Sequence, residues 1–393
     1  MADRKIKELG NITPMTKAYK PYMDMLASKA EVGIVKTVPT GFKPGSDVAN
    51  LSVMGYNPEK CYTGRSPLEA AGIGIALKPT DVTLRCNFVT LSDKEPDYED
   101  KTLIDYCAGD ISTEEAKILV EYLKRYFDND EFTLNPGISY RHCLVWNNGD
   151  PEPGLITPPH DITGRRIKEY IPVGRSAEKL YAMMKRSYEL LKDHPVNLNR
   201  IKNGKNPANS VWFWGEGTLP KLENFEDKFG LKGSVISAVD LLKGIAACAG
   251  MGHPDVEGAT GYIDTNFQGK LNAAVNELDS GKDFVYIHLE APDECGHRGE
   301  LENKIKSIEL IDKLIIKPLL EYLEKAGDYA VLICPDHPTP MEIRTHSSEP
   351  VPYLIYKSNK EINSGITVFN EENAAATGNY IEKGYTLIER LIK

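Results

Sequence analysis

The chain has 393 residues, 26% of them charged and 41% hydrophobic, and a formal net charge of −10. That length exceeds one ordinary core, so two domains are expected. An acidic chain without a basic run argues against a nucleic-acid partner, though a few local arginines or metal ions could still hold an anionic substrate. Seven scattered cysteines without a C-x-x-C pair argue against a disulfide framework and a thiolate zinc site. No apolar run approaches the roughly 18 residues of a membrane span, and Met1-Ala2-Asp3-Arg4-Lys5 is not a signal peptide. A cytoplasmic protein without a membrane partner is expected.

In chain order, the first segment with chemistry in it is Pro44-Gly45-Ser46-Asp47-Val48-Ala49-Asn50. A serine that follows glycine and opens a helix-like run sits where free backbone N–H groups and the helix dipole favour an anion. Taken alone, the segment reads more readily as a plain N-cap. A metal on Ser46 would lower its hydroxyl pKa and make it a nucleophile.

From near Lys78 the composition shifts. Ser112–Phe127 reads as a helix with Ser112 as N-cap and Glu115 completing a capping box. Ser176–Lys192 reads as another, ended by His194-Pro195. Pro- and Gly-rich stretches, Asn135-Pro136-Gly137 and Asp150–Gly154, lie around them. An inserted α+β domain is expected over 78–217, within a core domain formed by 1–77 and 218–393.

The last third alternates strand and helix. Asp283–Glu290, Tyr329–Cys334 and Val351–Tyr356 read as strands. Leu301–Lys325 reads as a helix with a kink at Pro318. This alternation predicts an α/β fold with a doubly wound, mostly parallel sheet. Acidic and imidazole side chains gather at the strand ends. Asp293 and His297 follow the first strand, four apart and so on one face of a helical turn. Asp336 and His337 follow the second, and His346 precedes the third, in a loop able to reach the same edge. Ligands bind beyond the carboxyl ends of such strands. Two aspartates and three histidines suit a pair of divalent ions such as manganese or zinc better than calcium. No P-loop, dinucleotide fingerprint or G-x-S-x-G elbow is present.

The run Val38–Pro58, with its Lys43-Pro44-Gly45-Ser46-Asp47 centre, resembles the archaeal-type cofactor-independent phosphoglycerate mutases of the alkaline phosphatase superfamily. So do Tyr62-Thr63-Gly64-Arg65-Ser66-Pro67, Gly258–Asn266 and Pro292–His297. The similarity covers essentially the whole chain. It implies an alkaline phosphatase-like core with the inserted domain as a cap. The implied activity interconverts 3-phosphoglycerate and 2-phosphoglycerate, small phosphorylated three-carbon acids, through a phosphoserine and without 2,3-bisphosphoglycerate. Ser46 would be phosphorylated. Asp293, His297 and His346 would hold one metal; Asp336, His337 and Ser46 would hold the other. Manganese is the first expectation, with magnesium, zinc or cobalt as alternatives. Arg141, His142, His160, Asp161 and Arg165, with Trp214-Gly215-Glu216-Gly217, would contact the substrate, as would Lys270.

The resemblance has one departure. The family's usual opening strand, ending in Asp-Gly with a ligand of the second metal, would precede Met1-Ala2-Asp3. A start at an internal methionine is the expectation, and the chain as written should bind its second metal weakly or fold poorly. A homoserine kinase-like phosphotransferase on the same scaffold, or a non-catalytic remnant, are the rival readings.

Overall fold

The computed structural model describes residues 1–393 throughout. The chain forms two compact units, Met1–Tyr62 with Lys221–Lys393, and Thr63–Pro220. In chain order, after a helix over Pro21–Ser28, the first unit holds strand β1 (Glu31–Val35) and helix α1 (Ser46–Val53). The second unit holds α2 (Ser66–Gly72), β2 (Val82–Leu91), β3 (Leu103–Asp105), α3 (Thr113–Phe127), β4 (Phe132–Asn135), β5 (Arg141–Trp146), α4 (Ala177–Leu191) and β6 (Ser210–Thr218). The first unit resumes with β7 (Gly233–Ile236), α5 (Phe267–Asp279), β8 (Phe284–Ile287), α6 (Ala291–Arg298) and α7 (Leu301–Ile311). Its last strands are β9 (Ala330–Ile333), β10 (Val351–Lys357) and β11 (Tyr380–Ile381), and a helix over Leu387–Ile392 follows them. Helix α2, ahead of the composition shift at Lys78, packs on β2 and β6 and so falls in the second unit.

In the first unit, β7 and β8 pair in parallel, and a separate sheet runs β11-β1-β10-β9. Strand β1 is parallel to β11, while β10 is antiparallel to both β1 and β9. The reversal has a local cause. No crossover helix joins β9 to β10, and a parallel return would normally need one. A consequence follows for the site: β10 begins at the sheet edge where β1 and β9 end. The two sheet pieces are not hydrogen-bonded to each other. Residues of β8 are only half-buried, whereas those of β7 are buried.

The expected helix runs on past Pro318 but changes type along its length. After α7 comes a π-helical turn, Asp312–Ile316, and then an α-helix over Lys317–Ala326. Pro318 lacks an N–H and its ring crowds the carbonyl of the preceding turn, so the ladder widens there. The apolar side of this stretch, with Ile308, Ile311 and Ile315, packs with Met23, Leu26 and Leu354 in the core of the unit.

The second unit is a sheet ordered β3-β2-β5-β4, with β6 also pairing with β2. Helix α3 buries Ala116, Leu119, Val120, Leu123 and Phe127, a 3.6-residue stripe. Only half of the predicted capping box forms. Ser112 Oγ accepts from the Glu115 backbone N–H at 3.2 Å, but the Glu115 carboxylate pairs with the buried Arg200.

One buried ion pair ties the start of the chain to the loop before β10. Lys304 Nζ donates to Asp3 Oδ2 at 2.7 Å and to the Thr339 carbonyl at 2.8 Å. Asp3 Oδ1 accepts from the Met341 N–H at 3.2 Å. The two side chains are 0% and 1% exposed. Removing one partner would strand the other charge in the interior, at a cost of about 3–5 kcal/mol. Lys304→Met should therefore lower the free energy of unfolding in urea by that amount. Adding Asp3→Asn should recover part of the loss; strictly additive losses would mean the pair is not coupled.

Candidate active site

The site gathers segments that flank strands of both sheet pieces of the first unit. Strand β1 runs into the loop before α1, which begins at Ser46. Gly45 is the residue that flanks the helix, so Ser46 is its first residue and its hydroxyl caps nothing. Instead Ser46 Oγ lies 3.1 Å from His337 Nε2. One turn on, Asn50 Nδ2 donates to the Ser46 carbonyl at 2.8 Å and to Asp336 Oδ2 at 3.0 Å. Tyr286 OH in turn donates to Asn50 Oδ1 at 2.6 Å. Asp336 and His337 follow β9, and the His337 N–H is bonded to Asp336 Oδ1 at 2.9 Å.

Helix α6 carries the second group. Asp293 Oδ2 is 3.3 Å from His297 Nε2, and its Oδ1 is 3.5 Å from His346 Nε2. Thr339 Oγ1 also donates to Asp293 Oδ1. His297 Nε2 and His346 Nε2 stand 2.9 Å apart. His297 Nδ1 lies 3.0 Å from the Arg344 carbonyl and donates to it, which leaves Nε2 with a lone pair. Arg344 has φ of 51°, an uncommon conformation for a side chain of this size, at the residue whose carbonyl orients this ring. His337 and His346 stack with ring centroids 4.0 Å apart, which joins the two groups.

Ligand atoms of Asp293, His337 and His346 lie within 4.8 Å of one another. These residues fit divalent cations by the chemistry of the donors. Two imidazole nitrogens that face each other at 2.9 Å need a proton or a cation between them. His337 Nδ1 is buried without a hydrogen-bond partner, while its Nε2 faces Ser46 Oγ and Asp336 Oδ2. Burial alone would raise the Asp293 carboxyl, but hydrogen bonds with His297 and His346 hold it far below the usual carboxylate range. The same bond to Asp293 pushes His297 up to about 9. For Asp336 burial again opposes ionisation, and the neighbouring His337 and His288 outweigh it.

The amino group of Met1 is buried near Asp336, Asp293 and Lys304, and burial pushes it down to about 6. Lys270 is fully buried on α5, with Nζ 3.3 Å from the His288 carbonyl; burial pushes it down to about 8. Burial and then Asp293 push Glu290 up to about 7.

The remaining expected contacts lie in the second unit, and they separate. His160 packs edge-on to Trp214, with centroids 5.1 Å apart, and to Tyr106 at 6.2 Å. Tyr106 meets Tyr140 at 5.9 Å, and the Arg141 guanidinium lies 5.3 Å from the Tyr140 ring. Arg141, His160 and Trp214 therefore share one aromatic and basic surface. Asp161 is exposed, 3.6 Å from His160. Arg165 is exposed and donates to Tyr170 OH at 3.1 Å. His142 faces the other way: it is buried edge-on against Phe88 at 4.7 Å, and burial pushes it down to about 3. It is a neutral core residue.

Sequence reasoning missed Asn50, Thr339 and the Arg344 carbonyl. The spacing of Asn50 from Ser46, one helical turn, was a usable signal. It also missed Arg65 and Arg85, both of which pair with Glu69 in the second unit.

The family model described as 2,3-bisphosphoglycerate-independent phosphoglycerate mutase matches residues 27–197. A Geobacter sulfurreducens protein named "Probable 2,3-bisphosphoglycerate-independent phosphoglycerate mutase" is 47% identical over all of this chain and 97% of its own length. A Methanosarcina mazei protein of the same name without the qualifier is 45% identical, over 100% of this chain and 97% of its own. Among solved structures, a Pyrococcus horikoshii protein superposes with a TM-score of 0.83 at 29% identity, covering 100% of this chain and 94% of the other. A Thermoplasma acidophilum cofactor-independent phosphoglycerate mutase does so with a TM-score of 0.66 at 27% identity, covering 100% and 96%.

Proposed function

The chain belongs to the 2,3-bisphosphoglycerate-independent phosphoglycerate mutases, and from that premise we propose that it interconverts 3-phosphoglycerate and 2-phosphoglycerate through a phosphoserine at Ser46. The observation that carries the mechanism is the hydroxyl of Ser46, at the start of a helix and 3.1 Å from His337, among aspartate and histidine side chains that converge.

Asp293, His297 and His346 would hold one divalent cation and Asp336, His337 and Ser46 the other, manganese being the first candidate. When bound, the pair supplies Lewis-acid stabilisation of the serine oxygen and of the phosphoryl oxygens. The chain's own part is positional. Asn50 bonds to the Ser46 carbonyl and to Asp336, and Tyr286 holds Asn50, so nucleophile and carboxylate are fixed together. The free N–H groups at the start of α1 favour the phosphoryl group as it arrives on Ser46. Ser46 Oγ attacks phosphorus and the bond to the 3-oxygen breaks. The glycerate then reorients, and its 2-hydroxyl takes the phosphoryl group back. Water must be kept out meanwhile, since hydrolysis of the phosphoserine would turn the mutase into a phosphatase.

An isomerase of a small phosphorylated acid needs neither nucleic acid nor membrane, and would work in the cytoplasm. No helix of the chain is long and apolar enough to cross a membrane. The test is conversion of 3-phosphoglycerate to 2-phosphoglycerate by the manganese-supplied protein, without 2,3-bisphosphoglycerate, with homoserine plus ATP as a second arm. Formation of 2-phosphoglycerate supports the reading; phosphohomoserine without 2-phosphoglycerate would replace it with the kinase.

A further inference from the structure

The loop between β9 and β10 carries His346 and contains no strand or helix, only a turn over 341–344. Its shape is set from outside, at two points. Lys304 on α7 donates to the Thr339 carbonyl at 2.8 Å. The carboxylate of Asp3 accepts from the Met341 N–H, with Oδ1 at 3.2 Å and Oδ2 at 3.3 Å. The buried ion pair of Lys304 with Asp3 joins these two anchors into one. From there the loop turns once. The Pro340 carbonyl accepts from the Ile343 and Arg344 N–H groups at 3.1 and 2.8 Å, and the Ser347 N–H returns to the Pro338 carbonyl at 3.1 Å. That turn delivers the Arg344 carbonyl to His297 Nδ1.

Thr339 is where the anchored loop meets a carboxylate of the site. The residue is 2% exposed, and its two polar ends face opposite tasks. The carbonyl is taken by Lys304, and the hydroxyl donates to Asp293 Oδ1. The backbone of α6 permits this approach. A Cβ on Gly296 would lie 2.7 Å from the Thr339 carbonyl oxygen and 3.0 Å from its Cγ2. With glycine there, the helix that carries Asp293 and His297 lies directly against Thr339. An O–H bound to one oxygen fixes the carboxylate's rotation, and an ionised carboxylate has lone pairs left for a cation.

We propose that Thr339, anchored by the Lys304–Asp3 pair, is a positioning residue for the cation set of Asp293, His297 and His346, and that its hydroxyl sets how tightly that set holds its cation. This role rests on the cation assignment made with the mutase reading. Thr339 itself ligates nothing; it acts through Asp293.

Manganese binding by the full-length protein tests this without any turnover, through the paramagnetic resonance signal of the free ion. Thr339→Val keeps the branched Cβ and the methyl group against Gly296 and removes only the O–H. One of two manganese equivalents should weaken roughly 10–100-fold, the usual effect of losing a hydrogen-bond partner of a metal ligand, while the other stays put. Thr339→Ser restores the hydroxyl on a smaller side chain and should recover most of the affinity. A role in packing alone would show the reverse order, with valine near wild type and serine impaired. The metal-free valine variant should melt within a few degrees of wild type. Asp293→Asn identifies the equivalent concerned: adding Thr339→Val to it should weaken the remaining manganese no further, because the hydroxyl acts only through that carboxylate. Wild-type binding by the valine variant, equal weakening of both equivalents, a serine variant as weak as valine, or a further loss in the double variant overturns the positioning role and leaves the cation assignment standing. If Asp293→Asn alone keeps both equivalents, the cation assignment fails, and the role of Thr339 with it.

Discussion

Ser46→Ala should abolish interconversion of the phosphoglycerates, by roughly 10⁴-fold or more, the scale of losing a covalent nucleophile. The side chain removed is small, half-buried, and makes no cap bond in α1, so the helix should survive. Asn50 keeps its bonds to the Ser46 carbonyl and to Asp336, because neither passes through the hydroxyl. The variant should therefore melt within a few degrees of wild type. Loss of the hydroxyl at 3.1 Å from His337 would remove one donor atom from the proposed second cation set only. Metal analysis should show the set at Asp293, His297 and His346 still filled. A Ser46→Ala protein that keeps most of its turnover would remove the covalent mechanism.

Asp293→Asn should be nearly as damaging, by a different route. The substitution keeps the shape and removes the charge from the carboxylate, which lies 3.3 Å from His297 Nε2 and 3.5 Å from His346 Nε2. Two facing imidazoles without an anion beside them are a poor site for a divalent cation, since neutral nitrogen donors alone do not offset its charge. The variant should lose one metal equivalent per chain after dialysis, and turnover should fall roughly 10²–10³-fold, as when an electrostatic stabiliser is removed. His297, which the hydrogen bond to Asp293 pushes up to about 9 in wild type, should titrate closer to an ordinary histidine in the metal-free variant. That last change is readable by NMR without any assay of activity. Full metal content after Asp293→Asn would move the ligand assignment elsewhere.

Four residues of this site were legible in the sequence because they follow hydrophobic runs closely. Asp293 and His297 follow β8 at helical spacing, and Asp336 and His337 follow β9. His346 was less so. It reaches the site because β10 runs antiparallel to β9, and strand direction is not written in the alternation of apolar residues. Ser46 could be read as a plain cap until its hydroxyl was seen turned to His337. In the second unit, adjacency in sequence misled. Arg141 and His142 are neighbours, yet alternate residues of a strand face opposite sides. His142 went into the core against Phe88, while Arg141 stayed exposed. Arg65, Glu69 and Arg85 carried no joint signal, because the register shift between Thr83 and Arg85 involves β6, far along the chain.

The central claim is that the phosphoryl group passes through Ser46 and returns to the same glycerate. The most direct measurement uses 3-phosphoglycerate labelled in its phosphoryl group, with the reaction stopped in acid during turnover. Digestion and mass spectrometry should find the label on the peptide containing Ser46. The 2-phosphoglycerate formed should carry it too, with little label as free phosphate. Label that reaches 2-phosphoglycerate in wild type with no trace on Ser46, or with equal efficiency in Ser46→Ala, would contradict the account.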